Sequence, residues 1–276
     1  MASIDGLEWT GIQTGKEGEV YRAVSHGNGS FAAVGSFGGS NITAATSDGD
    51  RWEMTTRDAR YVNYLRGLGF GNGFFLGLGG DPGAVGDSRP FVMTSVDGKA
   101  WSDLTPIAGK NMLRRVCYGN DRFVAVGDRG RRASSKEGKD WNDAPNVKAI
   151  DTLIDVTFGN NLFVGVGLHG LRMSSEDGIA WSERIPGEEG EHINSVLWTG
   201  ERFVAVGQGA TYFSQDGRRW DRQPNTDAPL IAVYGQQRFI GSNWRGRILQ
   251  STDAVTWKEV IQVEQHVEAL AFGTIA

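Results

Sequence analysis

The chain has 276 residues, a formal net charge of −5 and 40 glycines beside nine Trp and thirteen Phe. Glycine is about twice its usual share of ~7%. At 39% hydrophobic and 22% charged the chain is globular, and no global positive field draws it to nucleic acid or an acidic membrane. Its single cysteine, Cys117, excludes an intrachain disulfide, and no Cys/His spacing suits zinc, so neither metal nor cofactor is expected. No apolar run reaches the ~18 residues of a membrane span. The N-terminal Met-Ala-Ser-Ile-Asp-Gly is not a signal peptide, so a cytoplasmic location is the default. Secretion after removal of a leader would leave the same sequence.

Taken from the N-terminus, Ser3-Ile4-Asp5-Gly6-Leu7-Glu8-Trp9 is the first copy of a pattern, Ser-x-Asp-Gly-x-x-Trp. Residues 46–52 repeat it with Thr46 in place of Ser. Further copies end at Trp101, Trp141, Trp181, Trp220 and Trp257, giving Trp-to-Trp spacings of 43, 49, 40, 40, 39 and 37. Glu137 replaces Asp in the fourth copy and Ala254 replaces Gly in the last. A second block precedes six of the seven Trp. It is fullest at residues 116–127, Val-Cys-Tyr-Gly-Asn-Asp-Arg-Phe-Val-Ala-Val-Gly, with matching Phe31, Phe75, Phe163, Phe203 and Phe239.

Each repeat therefore predicts four short strands. The first ends in aromatic-Gly, the second reads Phe-Val-Ala-Val-Gly, the third enters the Asp-Gly turn and the fourth carries Trp. Gly-Asn and Asp-Gly steps between apolar runs are hairpin signals, and no stretch keeps helical periodicity. The expected fold is all-β, one domain over residues 1–276. It is a seven-bladed β-propeller of four-stranded antiparallel blades. N- and C-terminal strands close the ring, the seventh blade being shared by residues 1–14 and 262–276. That blade comes out about one strand short, because its second strand should begin near residues 274–276. A short or irregular closing blade is expected, and a strand taken from another chain is the alternative.

The Ser-x-Asp-Gly-x-x-Trp turns resemble the Asp-box, or BNR, repeat of sialidases and many bacterial propellers. Here Asp and Gly are adjacent, so every copy is one residue shorter. In that family the boxes lie on the face away from the active site, which implies a scaffold role for all seven. The repeat also resembles that of the propellers of photosystem II assembly factors, which use an arginine patch. That likeness transfers no specific residue. Arg184-Ile185-Pro186 echoes an early sialidase motif, yet it follows a late Trp turn and Glu183 stands where an aromatic residue belongs. Sialidases also have six blades, against the seven counted here.

Function must then come from residues that break the repeat on the opposite, top face. Aligned on their aromatic-Gly ends, the first strands share one column: Arg22, Arg66, Arg114, Ile154, Asn194, Leu230 and Glu268, with Arg115 following. Second-to-third connections add Arg129, Arg131, Arg245, Trp244 and His169, and the longest of them spans residues 79–90. Arginines converging on a channel mouth grip carboxylate, sulfate or phosphate through paired N–H donors. A Trp face suits a sugar ring. The same arginines can also be read as a solvated rim paired with Asp81, Asp87, Asp128, Asp155 and Glu268. His192 and His266 open two first strands, and with Glu268 they are the candidate acid/base group. His26 fills an aromatic slot and Cys117 lies inside a first strand, so both are expected in the packing.

The expected function is a non-catalytic binding or assembly module. Its ligand is an anionic small molecule, an acidic glycan or a protein segment, held by Arg22, Arg66, Arg114, Arg129, Arg245, Trp244 and His169. The alternative is a glycan-active hydrolase or lyase, or another propeller lyase or cyclase, acting at the channel mouth. The sequence leaves the oligomeric state open.

Overall fold

The computed structural model describes residues 1–11, 13, 15–57, 64–81, 88–188 and 190–274. Six antiparallel sheets follow one another along the chain. They are blade 1 (19–57), blade 2 (64–106), blade 3 (113–143), blade 4 (153–175), blade 5 (193–224) and blade 6 (231–262). Five have four strands, and blade 4 has three, its fourth position reduced to the Arg172–Ile185 bridge. Within every sheet, neighbours in sequence are neighbours in space, as short hairpin turns dictate. First strands of successive blades touch one another and so form the inner wall.

The blade count is six, not seven. The N-terminal turn at residues 3–9 folds like the other copies, but its flanks form only the isolated Ala2–Thr10 bridge. Lys258–Gln262 is the fourth strand of blade 6, and residues 263–274 lie outside any strand. The physical reason is that counting Trp counts turns, whereas a blade needs paired strands. The two terminal segments carry first-strand and last-turn sequence with no second and third strand between them. The blade expected over 1–14 and 262–276 is therefore not formed; residues 12, 14, 275 and 276 lie outside the described residues. The seam is still packed: a Cβ on Gly6 would lie 2.3 Å from Ile240, and one on Gly273 would lie 2.0 Å from the His26 ring.

The turn chemistry repeats copy by copy. Asp97 Oδ1 accepts the N–H groups of Lys99 and Ala100 at 2.9 Å each, while the Gly98 N–H donates to Ser95 Oγ at 2.9 Å. Asp5, Asp48, Asp177, Asp216 and Asp253 accept the matching pairs. These backbone donors hold the carboxyls of Asp5, Asp48, Asp97 and Asp216 below their ordinary pKa. A depressed carboxyl contributes stability above its unfolded pKa and loses it as pH falls through the folded one. Urea melts at fixed pH are expected to show stability falling from about pH 5 to about pH 2. Asp97→Asn keeps the acceptor oxygen without the titration, so its loss should be shallower.

Blades join through aromatic side chains. Phe123 is fully buried with its ring 4.8 Å from Tyr118 across the hairpin. Phe31, Phe75, Phe163, Phe203 and Phe239 repeat the contact against His26, Phe70, Phe158, Trp198 and Tyr234. His26 thus occupies the aromatic slot, and Cys117 packs against the core between blades 3 and 4. The glycine after the inner aromatic leaves room for the next blade: a Cβ on Gly119 would lie 2.1 Å from the Phe158 ring. Buried clusters fill each joint from blades 1 and 2 through blades 5 and 6. Between blade 6 and blade 1 lies a cleft of about 540 Å³.

Candidate functional site

A backbone irregularity builds the channel mouth. In blades 1 to 5 the register of the first strand slips by one residue, and the residue skipped is Arg22, Arg66, Arg114, Ile154 and Asn194 in turn. A bulge bends its strand and re-aims the extra side chain. The column legible in the sequence is thus a column of bulges. Its first three members are arginines in adjacent blades.

Those three arginines differ in their partners. Arg22 Nη1 lies 3.6 Å from Glu268 Oε2. Arg114 grips Asp128 as a fork, Nε to Oδ1 and Nη2 to Oδ2. Arg66, half-buried between them, has no ion pair among the described residues. Its guanidinium lies 5.3 Å over the Tyr64 ring, and its buried Nε donates no hydrogen bond. Burial, and then the charges of Arg22 and Arg114, push its pKa down. Arginine stays protonated all the same. Burial is the larger cause, and the two neighbouring cations add repulsion that an anion would offset. Arg115 donates to the backbone carbonyls of Arg66 and Arg114 at 3.2 Å each, tying the two bulges together.

Below the mouth, a cavity of about 440 Å³ is lined by Arg22, Arg115, Asp155, Asn194 and Glu268, among others. Asp155 accepts the N–H groups of Val156 and Val196 at 2.9 Å each, joining blades 4 and 5. Burial raises its carboxyl pKa, and Arg115 opposes that rise.

The remaining candidates occupy other points of the same face. Arg129, His169 and Arg245 are exposed at the tips of equivalent turns in blades 3, 4 and 6, with left-handed φ of 52°, 57° and 63°. Trp244, 64% exposed, stacks on His266 with centroids 4.9 Å apart. The His169 N–H donates to His192 Nδ1 at 3.3 Å. His192, His266 and Glu268 thus have three different partners. Among the described residues no hydrogen bond, ion pair or ring contact joins them to one another. Arg131 is spent on structure, donating to Asp143 and to the carbonyls of Ala108 and Asn111. Arg184 lies 3.4 Å from Asp151, and Asp81 pairs with Arg89. Of the 79–90 connection, residues 82–87, including Asp87, lie outside the described residues.

One cluster escaped the sequence reading. Buried Glu191 accepts from the Tyr212 hydroxyl, from Arg222 Nε at 2.7 Å and from the Glu188 N–H at 3.1 Å. Burial and this hydrogen bond push the Tyr212 phenol up to about 12. Every partner belongs to blade 5 or to the connection entering it, so the cluster anchors that connection. Among the described residues no group of three or more His, Cys, Asp and Glu is placed to hold a metal.

No family model matches the chain, and no curated protein matches it. Solved structures do. YCF48 bound to D1 peptide aligns with a TM-score of 0.68 at 18% identity, covering 93% of this chain and 86% of that one. YCF48 from Cyanidioschyzon merolae aligns at 0.61 and 14% identity, covering 89% and 86%. The WD40 β-propeller domain of Doa1 aligns at 0.67 and 11% identity, covering 93% and 86%. The likeness shows the fold alone. The chain is an all-β propeller.

Within that frame the arginine trio lies opposite the Asp-Gly turns. Arg114 meets Asp128, just past the end of the second strand of its blade. The turn after Ser135 sits at the other end, where Ser135 pairs with Phe123. Among the described residues no helix is long and apolar enough to cross a membrane.

Proposed function

We propose that this propeller is a non-catalytic binding or assembly module whose Arg22–Arg66–Arg114 face takes an acidic protein segment. Arg66 carries the reading. It is held by a bulge, flanked by two like charges and without a paired carboxylate among the described residues, while both neighbours have one. A carboxylate arriving there gains charge-assisted hydrogen bonds and relieves repulsion already present. Alternate side chains of an extended segment point the same way, so spaced acidic residues suit cations presented by successive blades. A solved propeller of the same fold, YCF48, is bound to a peptide, which favours a protein ligand over a small molecule or glycan. The separate partners of His192, His266 and Glu268 weigh against an acid/base site.

Affinity capture with the wild-type chain and the Arg66→Ala/Arg114→Ala double variant tests this. The wild type should recover an acidic partner that the double variant loses. Identical recovery by both would contradict the proposal.

A further inference from the structure

The cleft between blade 6 and blade 1 has a specific chemistry. It is lined by Ile4, Trp9, Trp52, Leu270 and Phe272, and its lining includes no charged side chain. One wall is residues 267–274. Among the described residues these make no backbone-to-backbone hydrogen bond; Val267 O accepts only Ser242 Oγ at 2.9 Å. A row of unpaired N–H and C=O groups along an apolar cleft is a template for another strand.

The six blades show what such a strand looks like. Residues 267–273 continue the ring of inner strands: Phe272 packs on Gly235 of blade 6, and Gly273 abuts His26 of blade 1. In every blade the inner aromatic slot pairs with a Phe at the first or second residue of the second strand, as His26 with Phe31 and Tyr118 with Phe123. Two residues earlier, Val24 and Val116 pair with Ala33 and Ala125. Phe272 has no such partner and is 48% exposed, whereas Phe70, Tyr118, Phe158, Trp198 and Tyr234 are all half-buried. The far wall fits as well. The turn glycines Gly98, Gly138 and Gly178 press on the second strand of the preceding blade, at Ala32, Leu76 and Val124. Their counterpart Gly49 lines the cleft.

We infer that the cleft binds an uncharged extended segment of another polypeptide, of the type Phe-Val-Ala-Val-Gly. The segment runs antiparallel to residues 267–273, with Phe against Phe272 and Ala opposite Leu270. The count of six blades is unchanged, since what is gained is one partner strand at an open edge. Residues 267–273 adjoin the arginine face through the Arg22–Glu268 pair, but the inference does not depend on that face's assignment.

The test uses the full chain and an acetylated, amidated peptide copying the uncharged residues 123–127, titrated by anisotropy with amide exchange read by mass spectrometry. Saturable binding should slow exchange at 267–273 by about tenfold or more, the signature of newly paired backbone. A peptide with Pro for the central Ala lacks the N–H and should lose both effects. Phe272→Asp in the protein should abolish binding, while its unfolding midpoint confirms that the blades are intact. Peptide binding without protection at 267–273 would overturn the inference. So would exchange at 267–273 that is already as slow as in the blade strands without peptide.

Discussion

Phe123→Ala is expected to destabilise the propeller by about 3–5 kcal/mol, the usual cost of emptying a fully buried Phe site. The ring meets Tyr118 in its own hairpin and Phe74 of the preceding blade, within the cluster joining blades 2 and 3. Its removal therefore loosens a joint between blades as well as one sheet. The urea midpoint should fall strongly while the folded β signal persists at zero denaturant. Phe272→Ala is the matched control. That ring is 48% exposed and faces the open cleft, so its loss should cost less than about 1 kcal/mol. Equal losses for the two variants would mean that the cleft is a filled joint like the others.

Arg66→Ala is expected to weaken binding of an extended acidic peptide such as (Glu-Ser)3 by about 10- to 100-fold, the loss of a charged hydrogen-bonded contact. The melting temperature should stay constant or rise, because Arg22 and Arg114 no longer repel a third cation. That combination separates a ligand-holding arginine from a structural one. Arg218, paired with Glu176 at the Asp-Gly turns, serves as the control, and Arg218→Ala should leave binding unchanged. Raised salt should weaken wild-type binding more than Arg66→Ala binding, since exposed charges are screened.

The blades were legible because their determinants are local. An Asp that accepts two backbone N–H groups, a Gly with positive φ and a Trp three residues on are all written within seven residues. The count was misread at the one place where local signals outran pairing. Residues 3–9 and 267–273 have the right turn and the right inner-strand sequence, but a sheet forms only where a second strand is present to pair. The arginine column was legible as an alignment. The bulge that creates it was not, although the column falls where each first strand breaks its alternation. Partnership was the least legible feature. Arg22, Arg66 and Arg114 look alike in sequence, and only distances to Glu268 and Asp128 reveal that the middle one has no paired carboxylate among the described residues. Likewise nothing in the residue types distinguished Arg131, which clamps two carbonyls, from Arg129, which is exposed at a turn tip.

The most direct measurement is the position of a bound acidic segment on the propeller. A (Glu-Ser)3 peptide carrying a terminal benzophenone, photo-crosslinked to the wild-type chain and mapped by mass spectrometry, reads that position residue by residue. Labels should fall within residues 64–68 and 113–116 and disappear when unlabelled peptide competes. Labels concentrated on the Asp-Gly turns at the opposite end of the channel would contradict the assignment of the arginine face.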